Sequence, residues 1–136
     1  HAPSAQGATL FTERGCAKCH DGPDGEGTRV FTFAELGTDP AYGDIYAPGH
    51  DGYACCGLKA GPDALPRGVK APKLNGLWAP PCLPHNGSVE GLDALFCRAP
   101  RAKGGGRGQT AGGHTMTCDG LTDDEKLQLI AFLEAW

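Results

Sequence analysis

The chain has 136 residues, with 16 acidic and 12 basic side chains and a formal charge of −4. That length suffices for one domain with one core, and the acidic balance argues against nucleic acid or an anionic membrane surface as partner. With 22 glycines, 11 prolines and only 7% aromatic residues, much of the chain must be loop, and its side chains alone cannot build a large core.

The first predicted helix covers residues 4–20. Ser4 caps it, and Ala8, Phe11, Gly15 and Cys19 recur near helical spacing with Leu10 beside them. It delivers Cys16-Ala17-Lys18-Cys19-His20, which reads C-x-x-C-H, the attachment site of a c-type haem. Two thiols on one side of a helical turn can add to the two vinyl groups of one porphyrin, and the adjacent histidine supplies the proximal nitrogen to the iron. A zinc half-site wants a second pair of like spacing, and Cys55-Cys56 are adjacent while the other cysteines stand singly. A thioredoxin-type pair wants a βαβ setting, which the pattern lacks. The expectation is therefore one haem c bound through Cys16 and Cys19 and ligated by His20. Its buried porphyrin adds the apolar area that the side chains do not. Asp21-Gly22-Pro23-Asp24-Gly25 stops the helix.

Residues 21–69 read as a loop-rich, ordered insertion over one haem edge, with a short helical turn somewhere in Asp39 to Tyr46 and a disulfide anchor at Cys55-Cys56. In the stretch from Lys70 to Gly87, Pro72 lacks an N–H and leaves carbonyls nearby free of local pairing. One of them can accept the other ring N–H of His20, fixing the ring and raising its basicity. Pro72, Leu74 and Trp78 are expected beside the haem, with the Trp78 N–H on a propionate or else satisfied within the core. Ser88 to Arg98 predicts a short helix capped by Ser88, its buried face made by Leu92, Leu95 and Phe96. Residues 99–113 return to loop. Arg98, Arg101, Lys103 and Arg107 form a basic run, either a solvated loop or a docking patch for an acidic partner. Thr122 and Glu125 then write a capping box, Asp123 and Asp124 suit the helix dipole, and Leu129, Ile130, Phe132, Leu133 and Trp136 give an apolar face. This last helix is expected to cross the first.

The sixth position on the iron decides the chemistry. Met116 leads as the sole methionine, in a polar loop just before the last helix. A thioether there favours reduced iron and raises the potential. His114, two residues away, is the main rival, then His85 in Pro84-His85-Asn86-Gly87 or an open site; His50 carries little weight. Beyond the haem pair, Cys55, Cys56, Cys82, Cys97 and Cys118 remain. Five is odd, so one thiol is free or joins two molecules into a dimer; otherwise the chain reads as a monomer. Cys82 and Cys97 bracket the short helix and make a plausible bridge, although spacing cannot fix connectivity. Haem attachment and disulfides both place the protein outside the cytosol, in the periplasm or secreted. No stretch can span a bilayer. No signal peptide is visible and the chain opens on His1, which reads as a processed or trimmed product.

Three blocks, taken in order, resemble class I c-type cytochromes: the helix ending in Cys16-x-x-Cys19-His20, the segment Ala71-Pro72-Lys73-Leu74-Asn75-Gly76-Leu77, and Met116 followed by Leu121-Thr122-Asp123-Asp124-Glu125. The resemblance implies an all-α fold, three to four helices with long ordered loops packed around one haem, spanning residues 1–136 as a single domain. It also implies that the Pro72 carbonyl holds His20 and that Met116 ligates the iron. Lys70 to Pro80, then His85-Asn86-Gly87-Ser88-Val89 and Leu92 to Phe96, is similar to the cytochrome domains of bacterial di-haem peroxidases and rubber-oxygenase-like proteins. Some of those carry a G-H pair before the last helix, as in Gly113-His114, which adds bis-histidine ligation as an option beside Met116. Only one C-x-x-C-H is present, so the second haem of those proteins is missing.

The resulting expectation is electron transfer by a free-standing carrier or a module of a larger multidomain redox enzyme, working with a redox partner protein. The alternative is a peroxidase-like haem enzyme or ligand sensor with an open or labile sixth site near His85. Thiol redox work at Cys55-Cys56 is a third reading.

Overall fold

The computed structural model describes residues 4–37, 68–79, 89–101 and 114–136. The first helix, α1 (Ala5–Glu13), begins as expected: the Ser4 hydroxyl accepts from the Gly7 N–H at 2.9 Å. It is shorter than residues 4–20. Gly15 adopts φ 83°, the left-handed region that a side chain resists, and the chain re-enters as a separate 3-10 turn over Cys16–Lys18.

The stretch after His20 is not wholly loop. Strand β1 (Val30–Thr32) leads directly into a four-residue helix, α2 (Phe33–Leu36). Strand β2 (Gly68–Lys70) pairs antiparallel with β1, Val30 opposite Lys70 and Thr32 opposite Gly68. The all-α expectation is thus corrected by a two-stranded ribbon that closes the base of the insertion. Phe31 is buried there, with the Arg29 guanidinium 3.6 Å above its ring, a cation–π contact that shields the ribbon's apolar side. The predicted turn in Asp39 to Tyr46 and the Cys55-Cys56 anchor lie outside the described residues.

Helix α3 (Gly91–Leu95) starts at Glu90, which makes no side-chain cap; Ser88, the expected cap, lies outside the described residues. Leu92, Ala94 and Phe96 are buried, as is Val89 just before the helix. Cys97 is bonded to Cys118, with Cα atoms 5.1 Å apart. This overturns the bridge to Cys82: Cys118 follows the turn before the last helix, which folds back onto the end of α3.

Helix α4 (Asp123–Glu134) carries the predicted capping box, Thr122 and Glu125 each bonding the other's backbone N–H. It packs across α1, burying Leu129, Ile130 and Leu133 against Leu10 and Phe11. Phe11, Phe132 and Trp136 stack at the crossing with ring centres 5.1 to 5.5 Å apart. At the other end, Ser4 donates to the Gln128 amide oxygen at 2.5 Å.

Arg14, just past α1, forms an ion pair with Glu125, so the cap of α4 also ties the two helices. The Arg14 hydrogen bond and the Thr122 N–H hold the Glu125 carboxyl below the usual carboxylate range. A lowered folded value stabilises above the unfolded value of about 4.3, and the contribution is lost as pH falls through the folded value. Glu125→Gln is therefore expected to lower the melting temperature at pH 7 and to converge with wild type once the pH has fallen through the lowered folded value. A gap of constant size from neutral to acid pH would assign the effect to something other than this charge. The gap should be modest, since Arg14 is half exposed.

Candidate functional site

The C-x-x-C-H stretch folds tightly because Gly15 turns the chain back. The amides of Cys19 and His20 both donate to the Cys16 carbonyl, at 3.2 and 3.0 Å. Cys16, Cys19 and His20 then line one cavity together. The following loop folds under the His20 ring. Gly22 N–H donates to Glu26 O at 2.8 Å, Gly27 N–H to Ala71 O at 2.8 Å, and Leu74 N–H to Asp24 O at 2.9 Å. Lys73 adds an ion pair to Asp24 at 2.6 Å.

This brings the Gly25 carbonyl to 2.5 Å from His20 Nδ1. The hydrogen bond of this ring goes to Gly25; the expected Pro72 carbonyl acts on the ring only as a further dipole favouring its protonated form. Gly25 is obligatory: it sits at φ 72°, and a Cβ there would lie 2.7 Å from the Leu74 side chain. Burial lowers the His20 pKa and the two carbonyls act the other way. A neutral ring donating Nδ1–H to a carbonyl keeps the Nε2 lone pair available to a metal.

The same cavity is walled by Phe11 and Leu133 from the helix crossing, by Pro72, Leu74 and Leu77, by Leu36 of α2, and by Leu95 and Phe96 of α3. His114, Met116 and Thr117 complete it. The His114 ring centre is 6.5 Å from that of His20, with the planes 61° apart. Met116 sits in a 3-10 turn, Thr115–Thr117, and is 52% exposed. Trp78 is 74% exposed and does not line the cavity, so it is not a core tryptophan. His50 and His85 lie outside the described residues.

The basic run is partly spoken for. Arg98 pairs with Asp93 and, at 2.9 Å, with Asp123. Arg101 turns inward and donates to the carbonyls of Ala94, Leu95 and His114, at 3.2, 2.7 and 3.2 Å. Lys103 and Arg107 lie outside the described residues. The roles of the Gly25 carbonyl, of Thr117 and of the inward-turned Arg101 were not legible in the sequence, where Arg101 reads only as part of the basic run. Only the first had a signal, a glycine at the end of a tight Asp-Gly-Pro-Asp-Gly turn.

The donor set fits a covalently bound haem: two thiols and one oriented imidazole on a largely apolar wall. A redox pair fits less well. Burial pushes both the Cys16 and Cys19 thiols up, whereas a redox C-x-x-C needs a stabilised thiolate. Among the described residues no three His, Cys, Asp or Glu side chains cluster to hold a metal ion of their own, as a zinc site would. Among the described residues no helix is long and apolar enough to cross a membrane.

No curated protein and no solved structure matches the chain at a significant level. The family model for cytochrome c matches residues 4–136, nearly the whole chain and every wall of this cavity. The chain therefore belongs to the cytochrome c family, whose members transfer electrons through covalently attached haem c.

Proposed function

We propose that this chain is a mono-haem electron carrier, or the electron-transfer module of a larger redox protein, with haem c on Cys16 and Cys19 and its iron between His20 and His114. The observation that carries this reading is the 6.5 Å separation of the two imidazole rings within the cavity that holds both thiols. Two imidazoles bound to one iron, each at about 2 Å as first-row metals bind histidine, have ring centres about 6 Å apart. Met116 supports a second reading, since it lines the same cavity. His114 ranks first because its ring separation from His20 matches that span.

Bound haem supplies one-electron exchange between Fe(III) and Fe(II). The chain's own residues do the rest. The Gly25 carbonyl fixes the His20 tautomer and ring angle. Phe11, Leu74, Phe96 and Leu133 exclude water from the interior of the cavity, and burial of that kind tunes potential. Were His20 and His114 both to hold the iron of a bound haem, no substrate would need to reach the metal, and electrons would pass at an exposed edge to a redox partner protein. The Cys97–Cys118 disulfide supports an oxidising location, periplasmic or secreted.

Near-infrared magnetic circular dichroism of the oxidised holoprotein, read beside its visible spectrum, tests the reading. A low-spin bis-histidine signature is expected. A sulfur-to-iron charge-transfer band would transfer the ligand role to Met116 and keep the carrier function. A high-spin spectrum would overturn the carrier reading in favour of a haem enzyme or sensor with an open iron.

A further inference from the structure

His114 stands at φ 58° and ψ 39°, left-handed backbone in a residue that is not glycine. Such a conformation persists only where its surroundings over-determine it, and it concentrates at functional positions. The surroundings here are specific. Thr117 is the buried polar side chain among the described residues, 5% exposed. Its hydroxyl lies 2.5 Å from the Leu95 carbonyl at the end of α3 and 2.9 Å from the His114 carbonyl. The Arg101 guanidinium spans the same two carbonyls and approaches the Thr117 hydroxyl at 3.4 Å. The Cys97–Cys118 bond ties the residue after α3's last turn to the one after Thr117. The peptide of His114 is thus held to the end of α3 by one hydroxyl, one guanidinium and one covalent bridge.

We infer that Thr117 and Arg101 are positioning residues for the His114 ring: they hold its peptide on α3 and so keep the sixth coordination position closed. The inference rests on the His114 ligand reading above. An external ligand reaches the iron only from the fraction of molecules in which His114 has moved away, and its apparent binding is reduced by that fraction. Loosening the clamp raises the fraction.

The test is the rate of cyanide binding to the ferric holoprotein, with the visible spectrum and melting temperature recorded for each variant. Thr117→Val keeps the volume and deletes the hydroxyl; it is expected to bind cyanide about tenfold faster, the factor that one lost buried hydrogen bond corresponds to. Thr117→Ser restores the hydroxyl and is expected to return to the wild-type rate. Arg101→Met removes the other half of the clamp and is expected to accelerate binding in the same way; it decides the matter alone should Thr117→Val not fold. Ile130→Val trims the core away from the clamp and is expected to lower the melting temperature without changing the rate. Wild-type rates in both clamp variants, with His114→Ala fast, would overturn the inference and leave the ligand reading standing. A wild-type rate in His114→Ala would overturn the ligand reading and the inference with it.

Discussion

Replacing His114 with alanine is expected to convert the ferric protein from low spin to high spin and to open the ferrous protein to carbon monoxide. The argument is geometric. His20 and His114 are the two imidazoles of the cavity among the described residues, their centres 6.5 Å apart, and the His20 ring is already fixed from behind by the Gly25 carbonyl at 2.5 Å. Removing the other imidazole leaves the sixth position to water or to an added ligand. The potential should move by on the order of 0.1 V, within the roughly 0.8 V range over which axial ligands act. Met116→Ala is expected to leave spin state and potential close to wild type, because on this reading the iron lies between the two imidazoles. Potentiometry and carbon monoxide titration of the two holoproteins separate the cases. A large potential drop and an open iron in Met116→Ala, with His114→Ala silent, would make the thioether the ligand.

Local chemistry was the legible part of the sequence. The C-x-x-C-H order names its use because few other chemistries need two thiols and a histidine at that spacing, and the structure brings all three to one cavity. The capping box of Thr122 and Glu125 involves neighbours three positions apart, so its pattern survives without any tertiary context. What the sequence left open depends on pairings between distant segments. Cys97 had several partners compatible with spacing, and Cys118 is chosen by how the turn before α4 folds onto α3. His114 and Met116 stand in the same loop and both line the cavity, so neither sequence spacing nor cavity membership separates them. Arg101 read as one of four basic side chains in a loop; that it bonds three carbonyls inside the fold needs coordinates. The first helix is shorter than its apolar spacing predicts: the spacing runs on through Gly15, and backbone handedness rather than periodicity ends the helix there.

Gly7→Ala is expected to destabilise the protein by about 3 kcal/mol, at the upper end of the cost of overpacking a close contact. In an exposed helix the same change would stabilise by about 0.5–1 kcal/mol, because alanine loses less conformational entropy. Two observations reverse the sign. Gly7 is buried in the first turn of α1, and a Cβ placed on it would lie 2.2 Å from the Gln128 carbonyl oxygen and 2.5 Å from the Phe132 Cβ. One obstacle is backbone and the other is the first carbon of a side chain, so no rotamer change relieves either. The helices must separate instead, and α1 carries both Phe11 and the approach to Cys16 into the cavity. For a chain of this size the loss amounts to roughly 10 °C in melting temperature. Some of the strain should also reach the site, as a less well-fixed His20 and a broader visible spectrum in the holoprotein. Thermal melting of wild type and Gly7→Ala under one buffer condition is the measurement. An unchanged or raised melting temperature would mean that α1 and α4 do not approach through Gly7, and the crossing that closes this cavity would have to be redrawn.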